Sequence, residues 1–495
     1  MGILNTNNFR KEIKQTDSIC PICNLVIPAN IYKEDGKVYI TKTCPEHGNV
    51  TDLYWGDYEE YVRVQEFENL GVKLENPRTQ VQRGCPYDCG ICPEHKSHTV
   101  LVLIDITNRC NLKCPICFTN AGVAGYLYEP SKDQIREMMV NVRSNKPVPP
   151  TAIQFAGGEP TVRDDLSELI EMAVELGFAH IQVSSNGIKM AESAEYCRTL
   201  KKAGLSTVYL QFDGVTPEPF IRLRGLDLLE VKIRAIDNLR EAGFMSIVLV
   251  PVLIRGVNDD QVGDIIRFAI DNKECIRGVN FQPVSMSGRI NKEERESMRI
   301  TIPDLIRLTE EQIGGLIKRE DWYPISAVVP FCKFLSNVKN EKFVDLSPHQ
   351  NCGMGTYLYI DGEKVTPLSD HIDIEGLLDS INASNSQMEK GKTVLARVTA
   401  ILGILRKVKF RQLYNFISTL IYKSDYHSLD RLHHKMILIS SMHFMDPYNF
   451  DLERVKRCVV HYAIPDGRII PFCTMNNIHR REIEKKFAKP INLDE

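Results

Sequence analysis

Cys110, Cys114 and Cys117 in the string CNLKCPICF constrain this chain more than any other feature. Thiolates at C-x3-C-x2-C spacing can hold three corners of a cubane iron–sulfur cluster and leave the fourth iron for a small molecule. Zinc sites instead favour C-x2-C pairs meeting a second pair, and disulfides have no reason to choose this triple. The flanks add a frame. TVLVLIDITNRC reads as a buried strand that delivers the loop, and TAIQFAGGEPTVRDD follows on a second strand.

This combination resembles the radical S-adenosylmethionine (SAM) superfamily. The resemblance implies that the free iron chelates the amino and carboxylate groups of SAM, which an electron then cleaves to a 5′-deoxyadenosyl radical. The rest of the middle region agrees. Strands are predicted at Leu101–Ile106, Ile153–Phe155, Ile181–Ser184, Thr207–Phe212, Ile247–Leu253 and Gly278–Gln282, with amphipathic helical stretches between them. The expected class is α/β, a partial (β/α)6 radical SAM barrel over residues 99–300 with its sites at the C-terminal strand ends. By resemblance, Gly157, Gly158 and Glu159, followed by Pro160, form the turn that holds the methionyl amino group. Ser184 and Asn186 lie where ribose and carboxylate contacts fall. Gln211 and Asp213 in QFDG mark the fourth-strand region, and Gln282 ends the sixth strand. Arg222 or Arg224 could pair the methionyl carboxylate, or be ordinary surface ion-pair residues.

Fifteen cysteines occur in tight groups rather than as a spread disulfide framework. Cys20, Cys23, Cys44 and His47, in the order C-x2-C, hairpin, C-x2-H, read as a zinc-ribbon or rubredoxin-like site for one mononuclear zinc or iron within residues 1–75. Cys85, Cys89 and Cys92 repeat the C-x3-C-x2-C spacing in residues 76–98. They neither leave a strand nor precede a glycine turn at the right interval, so they suit an auxiliary cluster. Its fourth ligand stays open between His95, Cys275 and Cys197. Residues 301–495 are expected to form a partly helical C-terminal domain. Two segments in it echo one another, CGMGTYLYIDGEKVTPLSD and CVVHYAIPDGRIIPFCTMN, each a cysteine followed by a hairpin with an Asp-Gly turn. With Cys332 they supply Cys352, Cys458 and Cys473, enough for a second auxiliary cluster. The inventory is then three 4Fe-4S clusters, SAM and one mononuclear ion.

A net charge of −3 argues against a nucleic-acid binder held by general electrostatics. The N-terminal MGILNTNNFRKEIKQ lacks the apolar core of a signal peptide, so the expected location is the cytoplasm. Between Lys390 and Ser424 no residue is acidic and eight are Lys or Arg. Val394, Leu395, Val398, Ile401, Leu402 and Leu405 make one helical stripe there, and Leu413, Phe416, Ile417, Leu420 and Ile421 another. Such helices either lie at an anionic membrane face or pack as a hairpin on the barrel. The Cys3His knuckle, the triple ahead of the SAM triple and the late PDGRIIPFC segment resemble the archaeal tetraether lipid synthases. That resemblance implies an enzyme joining terminal methyl carbons of isoprenoid chains, with an archaeal ether lipid as substrate, peripheral membrane contact, and a low-potential donor such as ferredoxin or flavodoxin. The alternative is a radical SAM methylase or pterin-modifying enzyme with the same clusters. A non-catalytic iron–sulfur scaffold would leave GGEPT and SSNG without purpose. No residue stands out as a catalytic general acid or base, and hydrogen abstraction by a carbon radical needs none.

Overall fold

The computed structural model describes residues 10–408 and 435–489. The chain opens with four antiparallel strands paired in sequence order: β1 (Lys11–Ile19), β2 (Val26–Glu34), β3 (Lys37–Cys44) and β4 (Gly48–Trp55). Alternation drives them. Along β3, Val38, Ile40, Lys42 and Cys44 turn inward, and the residues between them are less buried. Asp35 and Gly36 both take positive φ, which lets the β2–β3 hairpin follow the strand twist.

The other thirteen strands form one sheet. At its centre run β5 (Leu101–Thr107), β6 (Ala152–Gly157), β7 (His180–Ser185), β8 (Thr207–Gln211) and β9 (Ile247–Val250). The short β10 (Val252–Leu253) pairs with the end of β11 (Ile276–Pro283), the sixth long strand. All these pairings are parallel, giving the expected partial barrel with every strand where the apolar runs place it. Parallel strands are covered on both faces, which is why β5 reads as an almost unbroken apolar run. The helix Lys132–Arg143 shows how the cover is built. Ser131 and Gln134 cap its start reciprocally, and Ile135, Met138, Met139 and Val142 make its buried stripe.

The C-terminal stretch does not stand apart as a domain of its own. β12 (Tyr323–Pro324), β13 (Gly353–Asp361), β14 (Lys364–Pro367), β15 (Met436–Met442), β16 (Val460–Ala463) and β17 (Ile469–Pro471) all join the barrel's sheet. β15 lies parallel to β11, and β16 lies parallel to β5. A partial barrel has two open edges whose backbone groups need partners, and these strands supply them. The two echoing Asp-Gly segments are the antiparallel hairpins β13–β14 and β16–β17.

The N-terminal strands are fused to the same core. The buried Arg299 bonds Asp52 of β4 at 2.8 Å and Asp446 at 2.6 Å. Lys42 donates to the Pro447 carbonyl at 2.6 Å, and the Tyr54 hydroxyl to Asp451 at 2.8 Å.

Helix Thr393–Lys407 packs on helix Ile374–Glu389 through small residues: Ala396 and Ala400 are buried, and Ser384 donates to the Ala396 carbonyl at 2.6 Å. The larger apolar side chains Val394, Leu395, Val398 and Leu402 face outward. Ile401 is half-buried and Lys407 pairs with Asp373 at 2.7 Å. The second apolar stripe, from Leu413 to Ile421, lies outside the described residues, as does the side chain of Leu405. Among the described residues no helix is long and apolar enough to cross a membrane.

Candidate active site and metal centres

The Cys110 loop leaves β5 and is fastened at both ends by backbone. Gly158 N–H donates to the Thr107 carbonyl at 2.7 Å, and Glu159 N–H to the Arg109 carbonyl at 2.8 Å. At the far end Cys117 and Arg289 exchange two bonds of 2.9 Å, and Arg289 Nε donates to the Cys114 carbonyl at 2.6 Å. This fit requires glycine at two places. A Cβ on Gly158 would stand 2.0 Å from the Arg109 carbonyl oxygen, and one on Gly288, at φ +66°, 2.4 Å from that of Cys117. The glycine turn therefore grips the cysteine loop as well as lining the cavity beside it.

That cavity, of about 420 Å³, is lined by Cys110, Cys114 and Cys117 at one part of its wall and by Cys473 at another. Gly157, Glu159, Ser184, Asn186, Gln211, Arg224 and Gln282 all line it, so the structure gathers most of the expected SAM contacts in one place. Pro160 is buried at the start of a short 3-10 turn.

Several expected contacts are already engaged by the protein. Glu159 accepts from Thr161 Oγ1 at 2.7 Å, Ser185 Oγ at 2.8 Å and Asn186 N–H at 2.7 Å, which locks the ends of β6 and β7 together. Asn186 in turn donates to Asn111 of the cysteine loop at 2.6 Å. Asp213 is fully buried and holds Arg224 by a two-pronged bond of 2.7 Å on each side. Arg222 is exposed and donates to the Gly256 carbonyl at 2.6 Å, an ordinary surface contact.

Lys232 was not legible as part of the site. It is buried, reaches the Asn186 carbonyl, and bonds Gln211 Oε1 at 2.7 Å; burial pulls its pKa down to about 7. A lysine on an amphipathic helix reads as solvated, and only the fold turns it inward.

The cysteine loop fits an anionic cluster. Burial pushes the Cys110 thiol up to about 12 and raises Cys114 as well, against the pull of Arg224. Thiolates there need compensation, and Arg224 supplies it beside Cys114; Arg289, bonded to the Cys114 carbonyl, keeps Nη2 sealed from solvent without a partner.

The ribbon site is assembled differently. The donor atoms of Cys20, Cys23, Cys44 and His47 all lie within 4.8 Å of one another. Cys44 Sγ is 3.5 Å and Cys20 Sγ 3.6 Å from His47 Nδ1, and Cys23 is 3.9 Å from Cys44. Burial acts to raise the Cys20 thiol, but the Cys23 and Ile22 N–H groups outweigh it and hold the thiol low. Four donors around one point fit a closed tetrahedral zinc site.

Cys85, Cys89 and Cys92 line a small cavity together with His95. Burial brings the His95 pKa down to about 4, keeping its ring neutral. The other two candidates for the fourth position belong to the barrel core: Cys197 Sγ lies 3.6 Å from the Met190 carbonyl, and Cys275 Sγ 3.7 Å from that of Asn272.

The last expected set of four is a set of three. Cys352, Cys458 and Cys473 act on one another, and Arg454 lies beside Cys352 and Cys473. Cys332 sits on helix Val329–Lys339 next to Asp345 and Leu346 instead. Arg454 donates to the His443 carbonyl at 2.7 Å, while its Nε and Nη1 are buried without partners. A buried guanidinium beside thiols, with two nitrogens to spare, again suits an anionic group.

The Radical SAM superfamily matches residues 104–269, and the HMPTM N-terminal zinc ribbon domain matches residues 12–56. Over 491 residues the chain is 50% identical to the 7,8-dihydro-6-hydroxymethylpterin dimethyltransferase of Methanocaldococcus jannaschii, covering 97% of this chain and 96% of that one. It is 31% identical to the GTP 3′,8-cyclase of Listeria monocytogenes over 199 residues, 39% of this chain and 57% of that one. The structure of Streptococcus suis SuiB bound to S-adenosylmethionine aligns with 43% of this chain and 47% of its own, at 19% identity and a TM-score of 0.35. The superfamily match carries with it a 4Fe-4S cluster and SAM, and the ribbon match carries zinc. The full-length match overturns the kinship with tetraether lipid synthases. The chain-coupling reaction, the ether-lipid substrate and the membrane contact fall with it, because that relative is named for a pterin.

Proposed function

We propose the reaction of this chain from its kinship: it belongs to the radical SAM family of the 7,8-dihydro-6-hydroxymethylpterin dimethyltransferase. It is a radical SAM enzyme with an N-terminal zinc ribbon. Its substrate in this reading is a reduced pterin, and the product carries added methyl groups.

The observation that supports the reading most is 50% identity sustained over nearly the whole of both chains. The cavity suits the substrate class. Phe444 and Phe472 stack with ring centroids 3.9 Å apart in its wall, and Tyr462 lies beside them, offering a flat apolar surface to a fused ring. Ser184, Tyr209, Asn280 and Gln282 bring hydrogen-bonding groups to the same space, as polar ring edges require. Asn280 donates to the Tyr209 hydroxyl at 2.8 Å, which orients both.

Cys110, Cys114 and Cys117 hold the SAM-binding cluster in this reading. When bound, that cluster and SAM supply a carbon-centred oxidant after one electron arrives from a low-potential donor. The chain's own residues do the positioning. Arg224 balances the thiolates, Arg289 holds the Cys114 carbonyl, Glu159 and Asn186 tie the glycine turn to the cysteine loop, and the apolar wall excludes water. Two further clusters, at Cys85, Cys89 and Cys92 and at Cys352, Cys458 and Cys473, bring the count to three, with zinc held by Cys20, Cys23, Cys44 and His47.

Anaerobic protein with SAM, reductant and 6-hydroxymethyl-7,8-dihydropterin is expected to form 5′-deoxyadenosine faster than without the pterin. With a second SAM giving its methyl to the carbon from which hydrogen was abstracted and leaving as S-adenosylhomocysteine, and the reductant supplying the electrons, mass spectrometry should find the pterin with one and then two hydrogens replaced by methyl. A pterin that neither speeds cleavage nor gains mass would overturn the proposal.

A further inference from the structure

We infer that His95 is the fourth ligand of the Cys85, Cys89 and Cys92 cluster, and that its hydrogen bond to the Cys458 carbonyl joins this cluster to the one at Cys352, Cys458 and Cys473. The inference rests on the three-cluster reading above and deepens it.

His95 and the three cysteines line one small cavity, with the ring itself buried. The two ring nitrogens differ in their surroundings. Nε2 lies 2.8 Å from the Cys458 carbonyl oxygen, 3.1 Å from Ser97 Oγ and 3.2 Å from His461 Nε2. A carbonyl only accepts, so Nε2 carries the proton in this bond. Nδ1 is then the unprotonated nitrogen, and among the described residues it makes no hydrogen bond. A neutral imidazole with a lone pair on Nδ1 needs to lose no proton to ligate iron, and a second bond that fixes its tautomer is the usual support of a metal-bound histidine. His461 packs edge-on against the same ring, its centroid 5.1 Å away.

The hydrogen bond runs to a residue with its own metal assignment. Cys458 lies between the short helix Leu452–Val455 and β16, and that stretch points a charge each way: Arg454 toward Cys352 and Cys473, Lys456 toward Cys85. One imidazole thus bridges the iron of one cluster and the peptide of a cysteine that holds the next. Histidine in place of a thiolate also removes a negative charge from the cluster, which raises its reduction potential.

Reconstituted full-length protein tests this by pulsed electron paramagnetic resonance of the reduced state. The signal that disappears in a Cys85→Ser/Cys89→Ser variant is expected to show coupling to a histidine nitrogen. In His95→Cys that coupling should vanish while iron per chain stays constant, and the potential of that cluster should fall. His95→Ala, with no donor, should lose the signal's wild-type form. A nitrogen coupling that survives in His95→Cys, or is absent from the wild-type signal, would overturn the ligand assignment and leave the cluster reading intact. Iron content unchanged in the Cys85→Ser/Cys89→Ser variant would instead overturn the cluster reading, and the inference with it.

Discussion

In the ribbon, three thiols and an imidazole stand within 4.8 Å of one another, so one ion saturates them. In the Cys110 loop, three thiols line a wall of a cavity of about 420 Å³, and among the described residues they belong to no donor group as tight as the ribbon's. Both sites use short cysteine spacings at turns, yet the backbone is spent differently. The ribbon's hairpins bring ligands toward one another. The barrel's strand ends, through Gly158 and Arg289, pull the cysteine loop against the sheet and keep its ligands facing open space. Closure makes a structural site, and a missing donor makes room for a small molecule.

The largest break between the two should come from single ligands. Cys114→Ala is expected to drop deoxyadenosine formation to background while ribbon zinc stays at about one per chain, read by metal analysis. Loss of ribbon zinc in that variant would mean that the two sites are not independent.

The converse change tests the other half. Structural zinc contributes about 10 kcal/mol or more in small zinc domains. Cys44→Ser should therefore lose the ion and unfold β1–β4, seen as loss of zinc and a lower thermal midpoint. Because Arg299 ties Asp52 to Asp446, the barrel should feel part of this loss.

A subtler change separates position from ligation. Gly158→Ala keeps every thiol but forces a Cβ against the Arg109 carbonyl. Displacements of about 1 Å can cost roughly 100-fold in rate, so SAM cleavage should fall by about that factor with iron content unchanged. Wild-type rates in this variant would show that the glycine grip is dispensable.

The smallest effect belongs to the joint between ribbon and barrel. Burial acts to raise the Asp446 carboxyl, but Arg299 overrides it and holds the pKa below the usual value. A carboxylate depressed in the fold contributes stability above its unfolded pKa of about 3.9, and loses it as pH falls through the lower folded value. Denaturation of apoprotein on the acid side should thus show a steeper loss for wild type than for Asp446→Asn.

Much of this was legible because local patterns carried it. The six barrel strands, the ribbon ligands and both Asp-Gly hairpins are properties of short stretches: an apolar run, a C-x2-C, a turn pair. What escaped depended on distant partners. Nothing in MILISSM or VVHYA says that these strands close opposite edges of the barrel. Cys332 was grouped with three thiols it does not meet, because a cysteine on a helix carries no sign of its neighbour across the fold. Lys232 looked solvated for the same reason. The lipid reading failed on different ground. It leaned on the order of metal ligands, which fixes the first chemical step, and on the basic apolar stretch after Lys390. Substrate choice lies in cavity walls such as Phe444 and Phe472, and those carried no motif.

The proposed SAM-binding cluster at the Cys110 loop can be probed by adding SAM to reduced, oxygen-free protein and recording the electron paramagnetic resonance spectrum. One cluster signal should shift on addition, and the shift should be missing in Cys114→Ala while the remaining signals stay as they were. A wild-type spectrum that SAM leaves untouched would contradict the account.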